Sequence, residues 1–313
     1  MNSPITISLI IPIYRVADYI GVMADSVLGQ SYPHIQYVFV NDETDDDSID
    51  ILNSLIAEKY SHKRDSILIV NQPHAGLPAA RCTGLGYATG DYIWHVDSDD
   101  WITENAVEMI VSEAESSGSD VIYFNFVQEY SENSKIKKER LYTIDKKNEY
   151  VWDMFNQRAY ACVWNKCIKR ELYERNKVYF PKYSYAEDTY LMVQLLTFCN
   201  SISYLDAPLY HYRKCNTSSL SHQKRKIRRL EYSLNFIDLY EKYKNHKSDP
   251  NPLHMIKDAI VLRAGWYSIA FDLGLFKQYP FLPKLISSAR LNKKSRIGLP
   301  AQIITKIYSR IYR

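Results

Sequence analysis

The sequence predicts an α/β fold, an open sheet flanked by helices and followed by a helical C-terminal extension. Over the first hundred residues, short apolar runs alternate with stretches of helical periodicity. The connections between them are only a few residues long, which fits right-handed βαβ units and a parallel sheet. From Gln223 onward only helical periodicity remains, broken at Asp249-Pro250-Asn251-Pro252 and Tyr279-Pro280.

Ser8–Ile13 is apolar on both faces, as a buried parallel strand must be. A helix follows from Asp18 to about Gln30, with Ile20, Met23 and Val27 on one stripe. Ile35–Val40 is the second strand. Ser48–Tyr60 is the second helix, with Ile49, Leu52 and Ile56 facing inward and acids at its N-terminus, where the dipole favours them. Ile67–Val70, Leu77–Tyr87 and Tyr92–Val96 read as strand, helix and strand. Thr103 is placed to cap a helix running to Gly118, and Asp120–Val127 reads as a further strand. The polar stretch 128–148 reads as an exposed hairpin or loop excursion. Glu187–Cys199 reads as a helix, with two strands near Ser201–Leu205 and Pro208–Tyr212.

Composition narrows the class. With 46% hydrophobic and 24% charged residues the chain is not disordered, and 10 glycines against 27 tyrosines exclude fibrous and low-complexity classes. Its 313 residues suggest one large domain plus an appendage. No apolar run is long enough for a membrane-spanning helix, and Met1–Pro4 lacks the basic start of a signal peptide. The five cysteines have no metal-ligand spacing, so reduced thiols in a bacterial-type cytoplasm are expected. Charge is split along the chain. Residues 224–313 carry 19 Lys and Arg against 6 Asp and Glu, whereas residues 1–223 carry 20 against 30. The acidic part suits metal or hydroxyl chemistry, and the basic part suits an anionic surface.

In an open α/β sheet, ligands bind beyond the carboxyl ends of the strands. Those ends carry Pro12-Ile13-Tyr14, then Asn41–Asp47, then Gln72–Gly76 with Arg81 beyond, and then Asp97-Ser98-Asp99-Asp100. So much carboxylate in one crevice needs a cation or a donor-rich ligand to offset its repulsion. Asp97 and Asp99, two residues apart just past a strand, can converge on Mg²⁺ or Mn²⁺ together with diphosphate oxygens. The alternative is an acidic turn capping the next helix.

The stretch from Ser8-Leu9-Ile10-Ile11-Pro12 through Asn41-Asp42 and Ala79-Ala80-Arg81 to Asp97-Ser98-Asp99-Asp100 resembles the nucleotide-sugar half of family 2 glycosyltransferases, which have the GT-A fold. That resemblance covers about residues 6–115. Trp164-Asn165-Lys166, Phe180-Pro181, Ala186-Glu187-Asp188 and Tyr210–Arg213 resemble the bacterial surface-polysaccharide members and extend it to about residue 220. It implies an open mixed sheet and a glycosyltransferase domain over 1–220, with a nucleotide-sugar half (1–115), an acceptor half (116–220) and a basic helical region (221–313). It also implies that Pro12 and Tyr14 line the donor base, Asp42 contacts a uracil-type base, and Arg81 neighbours the base or diphosphate. Asp97 and Ser98 would belong to the donor site, Asp97 touching ribose or metal. Asp99 would be the main metal ligand and Asp188 the general base. One departure stands out: the family usually has Asp-Gly-Ser-Thr-Asp after the second strand, and here Glu43 replaces the glycine.

Physical chemistry points the same way. A cation stabilises a diphosphate leaving group, and an inverting displacement needs a carboxylate on the opposite face to take the acceptor proton. Asp188, at a helix start, fits that base or an N-cap, with Glu187 as the substitute. His211 is a candidate late metal ligand or a hydrogen-bonded strand histidine, His74 reads as a loop residue, and Trp164 is a sugar platform or core. The expected function is an inverting, metal-dependent glycosyltransferase using a nucleotide-diphosphate sugar, a UDP-sugar by preference. Its acceptor would be a glycan or lipid-linked saccharide of a surface polysaccharide. A nucleotidyltransferase would need a Gly-rich basic loop after the first strand, and an inactive binding module would be expected to lack Asp99 or Asp188. No nucleic-acid motif accompanies the basic tail. In that tail Ile303, Ile304, Ile307 and Ile311 recur at helical spacing beside Lys306, Arg310 and Arg313, as in a helix lying on the inner face of an anionic membrane or capping the domain.

Overall fold

Seven consecutive buried residues form β1 (Ile7–Ile13), a strand covered on both faces. In the computed structural model, which describes residues 3–215, 225–245, 252–260, 278, 279 and 282, this strand lies between two parallel neighbours. They are β2 (Ile35–Asn41) and β4 (Tyr92–His95), and β3 (Ile67–Asn71) pairs parallel to β2 at the edge. The crossovers are α1 (Ala17–Leu28), α2 (Ser48–Lys59) with the 3₁₀ turn Ser61–Ser66, and α3 (Leu77–Tyr87).

The sheet then continues in mixed sense. After β5 (Trp101–Ile102) and α4 (Ala106–Ser117) come β6 (Val121–Glu129) and β7 (Ser134–Lys137). Next are α5 (Lys147–Phe155), β8 (Lys166–Lys169), α6 (Arg170–Arg175), α7 (Glu187–Phe198) and β9 (Ile202–Arg213). The strand order is β3-β2-β1-β4-β8-β6-β9-β5, with β7 paired antiparallel to β6 as the predicted hairpin. β8 is antiparallel to both β4 and β6, and β9 is parallel to β6.

Side chains of β1 alternate between two cores, while Val38 and Val40 of β2 form a smaller third cluster with Ala80. Leu9 and Ile11 face the cluster built by α1, α2 and α4, whereas Ile10 faces the other side. There α3 lies so close that a Cβ on Gly84 would stand 2.3 Å from Ile10 Cγ2, so only glycine fits. The cluster holding Ile10 also takes in α5, α7 and two described helices of the C-terminal region, α8 (Arg225–Tyr243) and α9 (Leu253–Ala259), through Phe236, Ile237 and Ile256.

Two local readings are corrected. Thr103 does not cap α4: its hydroxyl donates to Pro208 O at 3.0 Å, and the helix begins after Asn105. The two strands expected over 201–212 are one, because β9 passes Asp206-Ala207 as a bulge. Phe124 pairs with Leu205 while the next residue, Asn125, pairs with Pro208. The isoleucine-rich helix expected over 303–313 lies outside the described residues. Among the described residues, no helix is long and apolar enough to cross a membrane.

Candidate active site

The loops leaving β1, β2, β3 and β4 border a cleft of ≈ 1280 Å³, whose other wall comes from β6, the segment after α5, the start of α7, and α8. Pro12, Tyr14 and Asp42 line it on one side, and Asp97, Ser98, Asp99 and Asp188 line it deeper in.

Asp42, at the end of β2, is almost fully buried and braces the loop into α3. Its Oδ1 accepts from Gln72 Nε2 (2.6 Å) and Ala75 N (2.9 Å), and its Oδ2 accepts from Gly76 N (2.9 Å). Gly76 opens α3 with φ of 85°, a left-handed conformation suited to glycine. His74 Nδ1 also lies 2.9 Å from Asp42 Oδ2, and its ring stacks on Tyr14 with centroids 4.2 Å apart. The two rings form a shelf beside Asp42. Read from the sequence as a loop residue, His74 is therefore part of the cleft wall. Glu43 takes φ of 55°, so the loop keeps the left-handed turn a glycine would supply, and the Glu43 carboxylate accepts from His74 N at 3.0 Å.

The Asp97–Asp100 turn is anchored by its last acid. Asp100 is fully buried, and burial followed by repulsion from Asp99 and Asp97 pushes its carboxyl well above the usual range. The Tyr210 hydroxyl donates to it at 2.8 Å and Arg213 N at 2.7 Å. Tyr210 also accepts from Asp97 N (3.1 Å), and Arg213 Nε donates to Asp99 O (2.9 Å). Asp100 thus ties the turn to the end of β9 while Asp97 and Asp99 reach the cleft. The sequence signalled it only as the fourth residue of the Asp-Ser-Asp-Asp run.

Arg81 was expected to neighbour the donor base or diphosphate. It does not line the cleft; its guanidinium is buried behind the cleft and grips three carboxylates. Nη2 donates to Asp97 Oδ1 at 2.7 Å, while Nη1 donates to Asp188 Oδ1 at 2.8 Å and to Glu187 Oε1 at 3.2 Å. The physical reason is that the fourth strand's end and the start of α7 bring uncompensated acids together at that depth, and one planar fork can meet several of them. Burial and mutual repulsion raise the Glu187 carboxyl against the pull of Arg81, and burial raises Asp188 as well. One cation among three carboxylates favours a proton on the Glu187–Asp188 pair near neutrality. Ala186, immediately before α7, has φ of 64°, and Arg15 and Gln157 at the cleft edge are also left-handed. Each such residue costs about 1–2 kcal/mol, a form of strain that gathers at functional sites.

His211, expected as a late metal ligand or a hydrogen-bonded strand histidine, is hydrogen-bonded in its strand. Its Nδ1 lies 2.7 Å from Glu129 Oε1, its Nε2 is 3.4 Å from Thr103 Oγ1, and its ring stacks on Trp101. The β5–β9 pairing holds it there, outside the cleft wall. Trp164 lines the cleft but is nearly buried, stacked on Tyr210 and Tyr212 with its edge against Phe126. Among the described residues no three or more His, Cys, Asp or Glu side chains converge as a metal cluster. Asp97 and Asp99 nevertheless fit a hard cation: they offer oxygen only, at a place where repulsion already calls for positive charge.

The comparisons agree with this geometry. A family model described as glycosyl transferase family 2 matches residues 8–176. EpsJ of Bacillus subtilis strain 168, an uncharacterized glycosyltransferase, is 30% identical over 221 residues, or 69% of this chain, which spans 62% of EpsJ. Among solved structures, Staphylococcus aureus TarS residues 1–349 in complex with UDP-GlcNAc has a TM-score of 0.64 at 18% identity, covering 90% of this chain and 78% of that one. The mannosyltransferase PcManGT of Pyrobaculum calidifontis, in complex with GDP-Man and Mn²⁺, has a TM-score of 0.56 at 16% identity, covering 99% and 81%.

Proposed function

The chain belongs to glycosyl transferase family 2 and has the GT-A fold, and on that premise we propose that its cleft performs an inverting, metal-dependent sugar transfer from a UDP-sugar. The acceptor is a glycan or a lipid-linked saccharide of a surface polysaccharide. One observation carries the reading: Arg81 bridges Asp97 on the donor side and Asp188 on the acceptor side, fixing the two carboxylates in one geometry. The UDP-GlcNAc complex of TarS supports the choice of nucleotide.

Under this reading the Tyr14–His74 shelf and Pro12 receive the base beside Asp42, and Asp97 with Ser98 holds the ribose and diphosphate end. Asp99, with Asp97, would hold Mn²⁺ or Mg²⁺, which when bound supplies positive charge to the departing diphosphate. Asp188 accepts the proton of the acceptor hydroxyl as that oxygen bonds to the anomeric carbon and the bond from carbon to diphosphate oxygen breaks, releasing UDP. Glu187, raised by burial, keeps its proton and spares the site a further negative charge. The division near residue 220 and the docking of the basic region beyond it on the inner face of an anionic membrane belong to the same proposal.

A panel of nucleotide sugars with Mn²⁺ or Mg²⁺, scored by UDP release and by thermal shift, tests it. One UDP-sugar should raise the melting temperature only when the cation is present, and should be turned over. Cation-independent binding, or turnover of none of the panel, contradicts the proposal.

A further inference from the structure

Lys166, the last residue of the Trp164-Asn165-Lys166 triplet, is a fully buried lysine outside the donor and base residues. It opens β8, and its side chain turns back on the stretch before it. The ammonium donates to Asn165 Oδ1 at 2.6 Å, Cys162 O at 2.7 Å and Tyr160 O at 3.1 Å. Three acceptors take up all three of its N–H groups. A neutral amine has only two and would strand one acceptor, so the geometry calls for the charged form. Asn165, equally buried, completes the arrangement: its Nδ2 donates to Glu139 Oε1 at 2.7 Å and to Phe124 O at 3.2 Å. Burial raises the Glu139 carboxyl, while Lys166, Asn165 and the Tyr160 N–H pull it back.

These contacts converge on the stretch between α5 and β8. Residues 156–165 contain no helix or strand, so their buried backbone groups need partners from outside regular structure. Tyr160 is held at both its N–H and its carbonyl, Cys162 at its carbonyl, and Trp164 O accepts from Trp94 Nε1 at 2.6 Å. The side chains of Tyr160, Ala161, Cys162 and Trp164 line the cleft, so this wall is set from behind by one ammonium. The same ammonium reaches the chemistry electrically. Burial raises the Asp188 carboxyl, and Arg81 and then Lys166 are the cations that oppose it. Burial followed by the charge of Asp188 pushes the Cys162 thiol well up, so base, wall and ammonium are neighbours.

We propose that Lys166 is a positioning residue for sugar transfer: it fixes the wall from Tyr160 to Trp164 opposite the donor loops and adds a second cation to the field at Asp188. The inference rests on the glycosyltransferase reading of the cleft and adds to it a residue that touches neither substrate. Arg81 alone faces three carboxylates, and in a dry interior a further charge is felt across several ångströms. The groups that face Lys166 are Glu139 from the segment after β7, Tyr150 from α5, Cys162 from the wall and Asp188 from α7. Those that face Asp188, besides Lys166, are Arg81 from α3, Asp97 after β4, Glu187 beside it, Tyr173 from α6 and Cys162.

The test follows UDP release from the UDP-sugar that the nucleotide-sugar panel selects, with Mn²⁺, across roughly pH 5–9. Lys166→Met keeps the side chain's bulk but removes its charge and donors. It should lose about tenfold or more in kcat on the alkaline plateau, since a displaced wall misplaces the reacting groups, and keep UDP affinity within about twofold. Without that cation Asp188 ionises at higher pH, so the acid limb of kcat/KM should move in the alkaline direction. Glu139→Gln keeps a hydrogen-bonding partner for Asn165 but removes the anion that offsets Lys166, and should move the limb in the acid direction. Both variants lose stability, so a purely structural role would affect the two profiles alike. Wild-type kcat in Lys166→Met, an unmoved limb in either variant, or limbs that move the same way overturn the proposal. Loss of UDP affinity in step with activity also overturns it. If Lys166→Met does not fold, the limb of Glu139→Gln decides alone. A wild type that turns over no member of the panel would instead remove the glycosyltransferase reading beneath it.

Discussion

Replacing Arg81 with methionine removes the cation on which Asp97, Glu187 and Asp188 converge at 2.7, 3.2 and 2.8 Å. With charge centres about 4 Å apart and an effective dielectric near 20, each attraction is worth roughly 4 kcal/mol before desolvation is counted. Protonation of the orphaned acids recovers part of that loss. The net cost should be the roughly 3–5 kcal/mol typical of breaking one partner out of a buried ion pair. For a chain of this size that is a fall in melting temperature on the order of 10 °C. The sign of the pH effect follows from the same charges. Arg81 favours the ionised form of both acids of α7, so without it their carboxyls, already raised by burial, rise further. Asp188 then ionises only at higher pH, and the acid limb of kcat/KM for UDP release moves in the alkaline direction. Because the folded variant binds protons more tightly than the unfolded chain, its stability deficit should be smallest at low pH and grow as pH rises through those values. Arg81→Lys keeps the charge, but a single ammonium cannot span Asp97 and Asp188, so it should fall between wild type and Arg81→Met. An Arg81→Met protein with the wild-type acid limb and a melting temperature within about 2 °C of wild type would refute the bridge as the organiser of the site.

Asp99→Ala should abolish the Mn²⁺ dependence of UDP binding in calorimetry, lowering affinity by about tenfold or more; an unchanged cation effect would remove Asp99 from the metal site. Gly84→Ala forces a Cβ to within 2.3 Å of Ile10 Cγ2 and 3.2 Å of Val40 Cγ2. It should cost about 1–3 kcal/mol in urea unfolding, and a neutral result would mean α3 does not pack as described. Ala186→Gly relieves the left-handed residue before α7 and should raise stability by about 1 kcal/mol; a lower urea midpoint would show that the conformation carries no strain.

The parallel half was legible because its strands are buried on both faces and leave continuous apolar runs. The predicted first, second and third strands match β1, β2 and β3 to within a residue at each end. The antiparallel insertion β8 was not legible. Its sequence, Lys-Cys-Ile-Lys, is four residues long and begins with a lysine whose burial only the fold reveals. Lys166 reaches no solvent because its ammonium donates to Tyr160 O, Cys162 O and Asn165 Oδ1, a local arrangement invisible to periodicity. At the site, the acids after β4 were named from their position and those at the start of α7 from the family resemblance of Ala186-Glu187-Asp188. The role of Arg81 was not, since its partners Glu187 and Asp188 are 106 and 107 residues away and no spacing rule links them. The same holds for His211, whose commitment to Glu129 is set by the pairing of β6 with β9. Glu43 hid its left-handed backbone behind a side chain that seldom adopts it.

The central claim is that donor binding and proton abstraction reside on different carboxylates joined by one arginine. Asp188→Asn separates them, since it preserves the side chain's shape and hydrogen bonding while removing the base. The account predicts UDP affinity in the presence of Mn²⁺ within about twofold of wild type by calorimetry, with sugar transfer slowed roughly 10²–10⁴-fold. Transfer at near wild-type rate, or loss of UDP affinity in step with activity, would contradict it.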